Sequence, residues 1–350
     1  MTGGTRDPAD DLRAVTIGGT VGRDDLGFVL PHEHLTIDTS DLRVSEGEYP
    51  QDAKLSLENL SQVRRWPRSL VDNAIMDDDT AVVRDLRRYV RAGGQTIVDL
   101  TPIGMGRDFA RYRDIAAQAG VQVIAATGYY LSYGHRGRVA GRSAGELADE
   151  FVGELTEGVA GVRCGVIGEI GMSAEPEPDE WKVLAAALEA QAQTGAPVWI
   201  HVTSLRPVNP VLDFLERHAS RVDNIVLCHM DYSLHDLTVH RRALSLGVNV
   251  EFDLFGFPGW TTGWLFDLPS DTERVRTLAE LAQDGARDQL FVSHDICMKM
   301  QMTTWGGFGY SHLLDAVGQT FEQLTGSREL LLHFGIRNTR RVLCWDKPSG

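Results

Sequence analysis

Lysine is scarce in this sequence. Of 34 basic residues in a chain of 350, only Lys54, Lys182, Lys299 and Lys347 are lysines, and they stand against 49 acidic residues, for a net charge of −15. An acidic surface without a basic patch repels a phosphate backbone, which excludes nucleic acid as the expected partner. Cysteine is equally sparse: Cys164, Cys228, Cys297 and Cys344 are scattered, with no CxxC pair. That excludes a disulfide framework, and the four are read as reduced thiols. No apolar run approaches the roughly 18 residues a membrane helix needs. The opening MTGGTRDPADD has no apolar core of the kind a signal peptide carries. The expectation from these absences is a soluble, cytoplasmic protein that acts on a small molecule.

What is present fits a packed enzyme-sized domain. The chain is 43% hydrophobic, 24% charged and 8% aromatic, which excludes disorder as its main state. Short apolar, β-branched runs recur at 94–100, 121–125, 165–169, 197–201, 225–229, 248–252 and 289–295, with one more at 27–32. Their near-continuous apolarity suits parallel strands covered on both faces. Amphipathic stretches separate them, including one at 79–92 and one opened by Glu177-Pro178 and closed by Gly195. Strand–helix alternation of this length means a barrel or a doubly wound sheet.

The polar residues decide between the two. Histidine or a carboxylate ends five of the runs: His32 and His34, Glu169, His201, His229 and Asp295. In a (β/α)8 TIM barrel all strand C-terminal ends meet on one rim, whereas an open sheet would string them along an edge. The predicted fold is therefore α/β, a (β/α)8 barrel over 14–350 as a single domain, after a flexible segment 1–13. A small β-hairpin is expected at 14–27, with Arg23-Asp24-Asp25 at or near its turn. A polar insertion at 38–79 after the first barrel strand is expected to hold a short helix and to cover part of the barrel mouth.

His32 and His34 alternate along a strand, so they share one face while Glu33 points away. Joined by His201, His229 and Asp295, they form a nitrogen and oxygen donor set suited to zinc, manganese or cobalt. Glu169, in Gly168-Glu169-Ile170-Gly171, can bridge two cations. His218, His235, His240 and His333 read as surface or core residues, and His312 as an undecided neighbour of the site.

At these residues the chain resembles the phosphotriesterase-like branch of the amidohydrolase superfamily. The resemblance rests on Leu30-Pro31-His32-Glu33-His34-Leu35, Gly128-Tyr129-Tyr130, Gly165-Val166-Ile167-Gly168-Glu169-Ile170-Gly171 and Ile200-His201-Val202-Thr203. It continues in Leu227-Cys228-His229-Met230-Asp231, Val292-Ser293-His294-Asp295-Ile296-Cys297 and the run Gly306-Gly307-Phe308-Gly309-Tyr310. It implies a two-metal centre, with His32, His34 and Asp295 at the more buried ion and His201 and His229 at the more exposed one. The best-known members bridge the ions with a carboxylated lysine. Here Glu169 stands at the matching place with no lysine nearby, so the chain resembles the glutamate-bridged, phosphotriesterase-related branch.

Two cations sharing a water lower its pKa toward neutrality and can polarise a substrate oxygen. The chemistry expected is hydrolysis, with a metal-bridged hydroxide attacking a carboxyl derivative such as a lactone, ester or N-acyl amide. Asp295 is the expected general base and acid, with His294 or Asp253 as candidate relays and Asp99 as a supporting residue. The cofactors expected are two divalent ions, Zn2+ first and Mn2+ or Co2+ next. Alternatives are a phosphoester or phosphotriester hydrolase on the same site and a ligand-binding barrel without turnover. A structural metalloprotein is the third reading, against which the open donor set argues. Substrate contacts are expected from the loops after the strands: Tyr129 and Tyr130, then Phe255, Phe257, Trp260 and Trp264, then Met298, Met300, Met302 and Trp305. Arg136, Arg138, Arg206 and Lys299 are the candidate cations, and Tyr130, Arg206, Trp264 and Lys299 the foremost contacts. A homodimer is left open.

Overall fold

The computed structural model describes residues 12–42, 49–257 and 268–346. Two short strands, β1 (Ala14–Thr16) and β2 (Gly19–Val21), pair antiparallel as a hairpin. Its turn falls at Ile17-Gly18, where Gly19 has φ +120°. Arg23-Asp24-Asp25, expected at or near the turn, instead lies in a separate helical turn, Arg23–Leu26, leading into the barrel. Asp25 explains the shift: its carboxylate accepts the Gly22 N–H at 3.0 Å and closes a local cap rather than a hairpin.

Eight parallel strands follow: β3 (Phe28–Glu33), β4 (Gly94–Asp99), β5 (Gln122–Thr127), β6 (Val166–Met172), β7 (Val198–Val202), β8 (Ile225–Leu227), β9 (Asn249–Phe252) and β10 (Leu290–Val292). Each pairs with its sequence neighbour in one eight-stranded sheet. The sheet curls until β10 packs beside β3. At that seam the Asp295 N–H donates to the His32 carbonyl at 3.2 Å, and the His32 N–H donates to Ser293 Oγ at 3.1 Å. This is the predicted barrel.

The helices lie outside it. They are α1 (Leu60–Arg65) in the insertion, then α2 (Asp79–Arg91), α3 (Phe109–Ala119), α4 (Ala144–Thr156), α5 (Pro178–Thr194), α6 (Val208–His218), α7 (Thr238–Ser245) and α8 (Asp271–Leu281). Helical turns over 313–343 complete the ring. Local chemistry sets their ends. Asp78 accepts the Ala81 N–H at the start of α2. Ser143 and Glu146 form a capping box at α4. Gly195 ends α5 in the left-handed conformation, as its place in the sequence predicts.

The core has two layers. One lies between the sheet and the helices, where Tyr89, Tyr112, Phe151 and Phe252 are fully buried. The other fills the barrel interior with Val29, Val98, Ile124, Trp199, Val226 and Phe291. Above that interior plug, at the strand C-terminal ends, His32, His34, Glu169, His201 and His229 are buried together. Among the described residues no helix is long and apolar enough to cross a membrane.

Candidate metal centre

Four imidazoles and two carboxylates meet at the C-terminal rim. Glu169, on β6, is their hub. Its Oε2 lies 2.8 Å from His201 Nδ1, 3.4 Å from His229 Nε2 and 3.4 Å from His32 Nε2, and its Oε1 lies 3.5 Å from His34 Nε2. Asp295 Oδ1 lies 3.2 Å from His34 Nε2 and 3.8 Å from His32 Nε2. His229 Nε2 and His201 Nδ1 are 2.6 Å apart. The six residues predicted as ligands are thus joined in one contiguous cluster, Glu169 touching all four imidazoles and Asp295 touching His32 and His34.

The backbone shows how each is aimed. Gly168 has no room for a side chain, since a Cβ would sit 2.8 Å from the Trp199 carbonyl oxygen, and this closeness packs β6 against β7. Apolar patterning puts His229 and Asp295 at the ends of strands, but β8 stops at Leu227 and β10 at Val292. Both residues adopt left-handed backbone, φ 56° and 49°. A β-strand cannot continue through that conformation, and the turn swings each side chain inward.

A surrounding layer of acceptors fixes the imidazoles. His32 Nδ1 faces Asp253 at 2.9 Å and Glu251 at 3.3 Å. His229 Nδ1 faces the same Asp253 at 2.7 Å. His34 Nδ1 donates to Thr101 Oγ1 at 2.9 Å, because the Thr101 hydroxyl is already donating to the Thr36 carbonyl. His201 Nε2 lies 3.1 Å from the Tyr130 hydroxyl. One nitrogen of every ring is thereby occupied, and the other is turned toward Glu169. An outer partner that fixes the tautomer is what a ligating histidine needs.

Charge tells the same story. His32 is fully buried and its Nε2 has no hydrogen-bond partner. Burial opposes protonation of His229, yet Asp253 overrides it and holds the imidazolium up to about 10. Burial likewise opposes the charge of Glu169, but His32 and His201 hold its carboxyl well below the usual range. Burial pushes Glu251 up to about 7. His201, by contrast, is lowered by burial. Glu169, Asp253, Glu251 and Asp295 surround these histidines and attract protons onto them. A divalent cation satisfies the same field, since metal and proton compete for the same lone pairs. The donor set fits an oxygen- and nitrogen-ligated metal.

The other predicted residues divide. Asp99 is structural, accepting from the Leu35 N–H at 2.6 Å and from the Tyr112 hydroxyl at 2.7 Å. His294 is not a free relay. Its Nε2 accepts the Leu313 N–H at 3.1 Å, which leaves Nδ1–H to donate to Glu33 at 2.7 Å. Asp253 is spent on His32 and His229. Glu33 does point away from the site, as the alternation requires, and takes up the loop after β10. Its carboxylate accepts the N–H groups of His294 and Ile296 at 3.0 and 2.9 Å and the Ser293 hydroxyl at 2.9 Å.

The centre opens into a cavity of about 340 Å3. Tyr130, Phe257 and Met298 line it, as expected. Two of the four foremost substrate contacts do not. Arg206 is exposed on the surface, 3.9 Å from Glu175. Lys299 turns away to ion pairs with Asp72 at 2.8 Å and Asp77 at 2.6 Å, in a different depression. Position after a strand does not fix side-chain direction, and each cation finds a nearer carboxylate outside the cavity. Trp264 and Trp260 lie outside the described residues. His312 pairs with Asp271 at 2.7 Å and stacks on Phe308 rather than lining the cavity. The lining residues not anticipated include Tyr133, Thr203, Tyr232 and Arg68, and the last sits in the Arg-Arg-Trp-Pro-Arg run of the insertion.

Comparison with known proteins agrees with this geometry. A model of the phosphotriesterase family matches residues 13–343. An N-acetyltaurine hydrolase of Danio rerio is 35% identical over 311 residues, covering 85% of this chain and 88% of the relative. A resiniferatoxin-binding protein from Rhodobacter sphaeroides is 33% identical, with a TM-score of 0.91 and 96% of both chains covered. The phosphotriesterase homology protein of Escherichia coli, solved with phosphate in its active site, is 26% identical, with a TM-score of 0.77 over 91% of this chain and 99% of that one.

Proposed function

The chain belongs to the phosphotriesterase family of metal-dependent hydrolases, and from that premise we propose that it is a two-metal hydrolase of N-acyl amides. His32, His34 and Asp295 would hold the deeper ion, His201 and His229 the shallower, and Glu169 both. Two divalent ions at such a centre lower the pKa of a shared water and polarise a carbonyl oxygen. Asp295, its carboxylate partly open to the cavity, takes the proton from the water and returns it to the departing amine nitrogen. Tyr130, beside His201, orients the acyl end, and the apolar wall keeps competing water from it.

The observation that carries this reading is the arrangement of the imidazoles, each with one nitrogen engaged and the other facing Glu169. The amide is favoured over lactones and esters by the N-acetyltaurine hydrolases, which match at 31–35% identity over about 85% of the chain. The test is elemental analysis of protein purified without chelator, followed by an acetate-release assay on N-acetyltaurine. About two equivalents of zinc, manganese or cobalt with metal-dependent release supports the reading. One equivalent or none after metal is supplied removes the two-metal centre. Two equivalents with no release from amides, lactones or esters would favour a binding role, for which the resiniferatoxin-binding neighbour is the precedent.

A further inference from the structure

The cavity carries one cation that nothing in the mechanism uses. Among the described residues, Arg68 is the one arginine or lysine that lines it. The other charged lining groups are Glu169 and Asp295, both on the metal-facing floor, and most of the wall between is apolar, including Leu42, Met105 and Leu254. A space of about 340 Å3 is near the lower end of small-ligand pockets, so one small molecule can touch floor and Arg68 together.

The position of Arg68 is held by its backbone. Asn73 Nδ2 donates to the Pro67 carbonyl at 2.8 Å, and the Ser69 hydroxyl donates to the Trp66 carbonyl at 2.7 Å. Asn73 in turn accepts the Met300 N–H at 2.9 Å, which ties this part of the insertion to the loop after β10. The charge is felt inside the cavity. Burial pushes the phenols of Tyr130 and Tyr133 upward, and the Arg68 guanidinium works against that rise at both. Arg136 and Lys299, two other candidate cations, are not among the residues that line the cavity.

We propose that Arg68 is the specificity residue of this site, binding an anionic carboxylate or sulfonate at the end of the substrate remote from the scissile carbonyl. The substrate class is then a short N-acyl amino acid or N-acyl aminosulfonate. An apolar wall of low dielectric strengthens a guanidinium–anion contact, and a planar fork matches either anion in two-point fashion. With the scissile carbonyl at the floor beside Glu169 and Asp295, the far end of a short molecule reaches the Arg68 side of the same cavity. This rests on the hydrolase reading above.

The experiment compares N-acetyl-β-alanine and N-acetyltaurine with the neutral carboxamide of N-acetyl-β-alanine, by acetate release. In Arg68→Met the anionic-to-neutral ratio of kcat/KM should fall roughly 10- to 100-fold, the size of a lost charge-assisted hydrogen bond. The loss should lie mainly in KM, and Arg68→Lys should recover part of it. A larger fall for one anion than the other identifies the carboxylate or the sulfonate as the group read. Arg206→Met, a surface cation, should keep the ratio. A ratio unchanged in Arg68→Met overturns the proposal. If the wild-type protein cleaves none of the three, the hydrolase reading fails, and titration calorimetry with the same compounds decides on Arg68. Tighter binding of the anions that Arg68→Met abolishes keeps its role, and equal binding in both proteins removes it.

Discussion

The floor of the cavity and its wall are built by different means. On the floor, every metal-facing group stands on a barrel strand or within three residues of one, and each imidazole is backed by a buried partner: Asp253 behind His32 and His229, Thr101 behind His34, Tyr130 beside His201. The wall comes from the insertion and the long loops, is largely apolar, and has Arg68 as its cation among the described residues. On the reading proposed above, chemistry falls to groups carried by the barrel strands and selection to the loops around them.

The sharpest way to break this division is at Asp295. Asp295→Asn should lower turnover by about three orders of magnitude, in the range of losing a positioned acid or base. Thermal unfolding should move little, because the backbone bonds that hold residue 295 do not involve its carboxylate. Retained turnover would show that the base lies elsewhere.

A second test separates support from chemistry. Arg274 and Asp231 form a fully buried ion pair at 2.5 Å, and Asp231 also accepts the N–H groups of Asp253 and Leu254. Arg274→Ala leaves a buried carboxylate uncompensated and should cost about 3–5 kcal/mol. It should also loosen metal binding through Asp253, whereas a wall substitution such as Arg68→Met should leave metal affinity unmoved. Denaturant titration and metal dialysis read the two effects.

A third test concerns pH in the metal-stripped protein. His229 is raised in the folded state to about 10, so its contribution is complete below its unfolded pKa of about 6.5 and is lost as pH rises through 10. Metal-free protein should lose stability over that window. Metal-loaded protein should not, since the ion takes the place of the proton. Parallel melting curves from pH 6 to 10 that superimpose would argue against an ion on His229.

The same division explains which parts are legible in the amino-acid order. Parallel strands announce themselves as short β-branched runs, and the alternation of His32 and His34 is enough to fix their common face. Glu169 and His201 follow from strand position alone. His229 and Asp295 are legible as site residues, but their left-handed backbone is not, since no local residue preference demands it of histidine or aspartate. The wall has no periodicity to read. Lys299 looks suited to substrate because it follows β10, yet Asp72 and Asp77 reach it first from the insertion. Arg68 gives no signal, because an irregular segment does not declare which way it faces.

Glu33 gives the floor a property of a different kind, concerning time. From the outward face of β3 it clamps residues far along the chain, 261 positions away for His294 and 263 for Ile296, while His32 and His34 on the inward face wait for Asp295 from that same distant loop. Contacts of such separation form late, after loop-closure entropy has been overcome. Whatever binds His32, His34 and Asp295 together therefore binds only a chain whose first and last barrel strands have met. Capture of an ion at the deep position would mark completion of the ring, and a nascent chain still lacking β10 would have no such site.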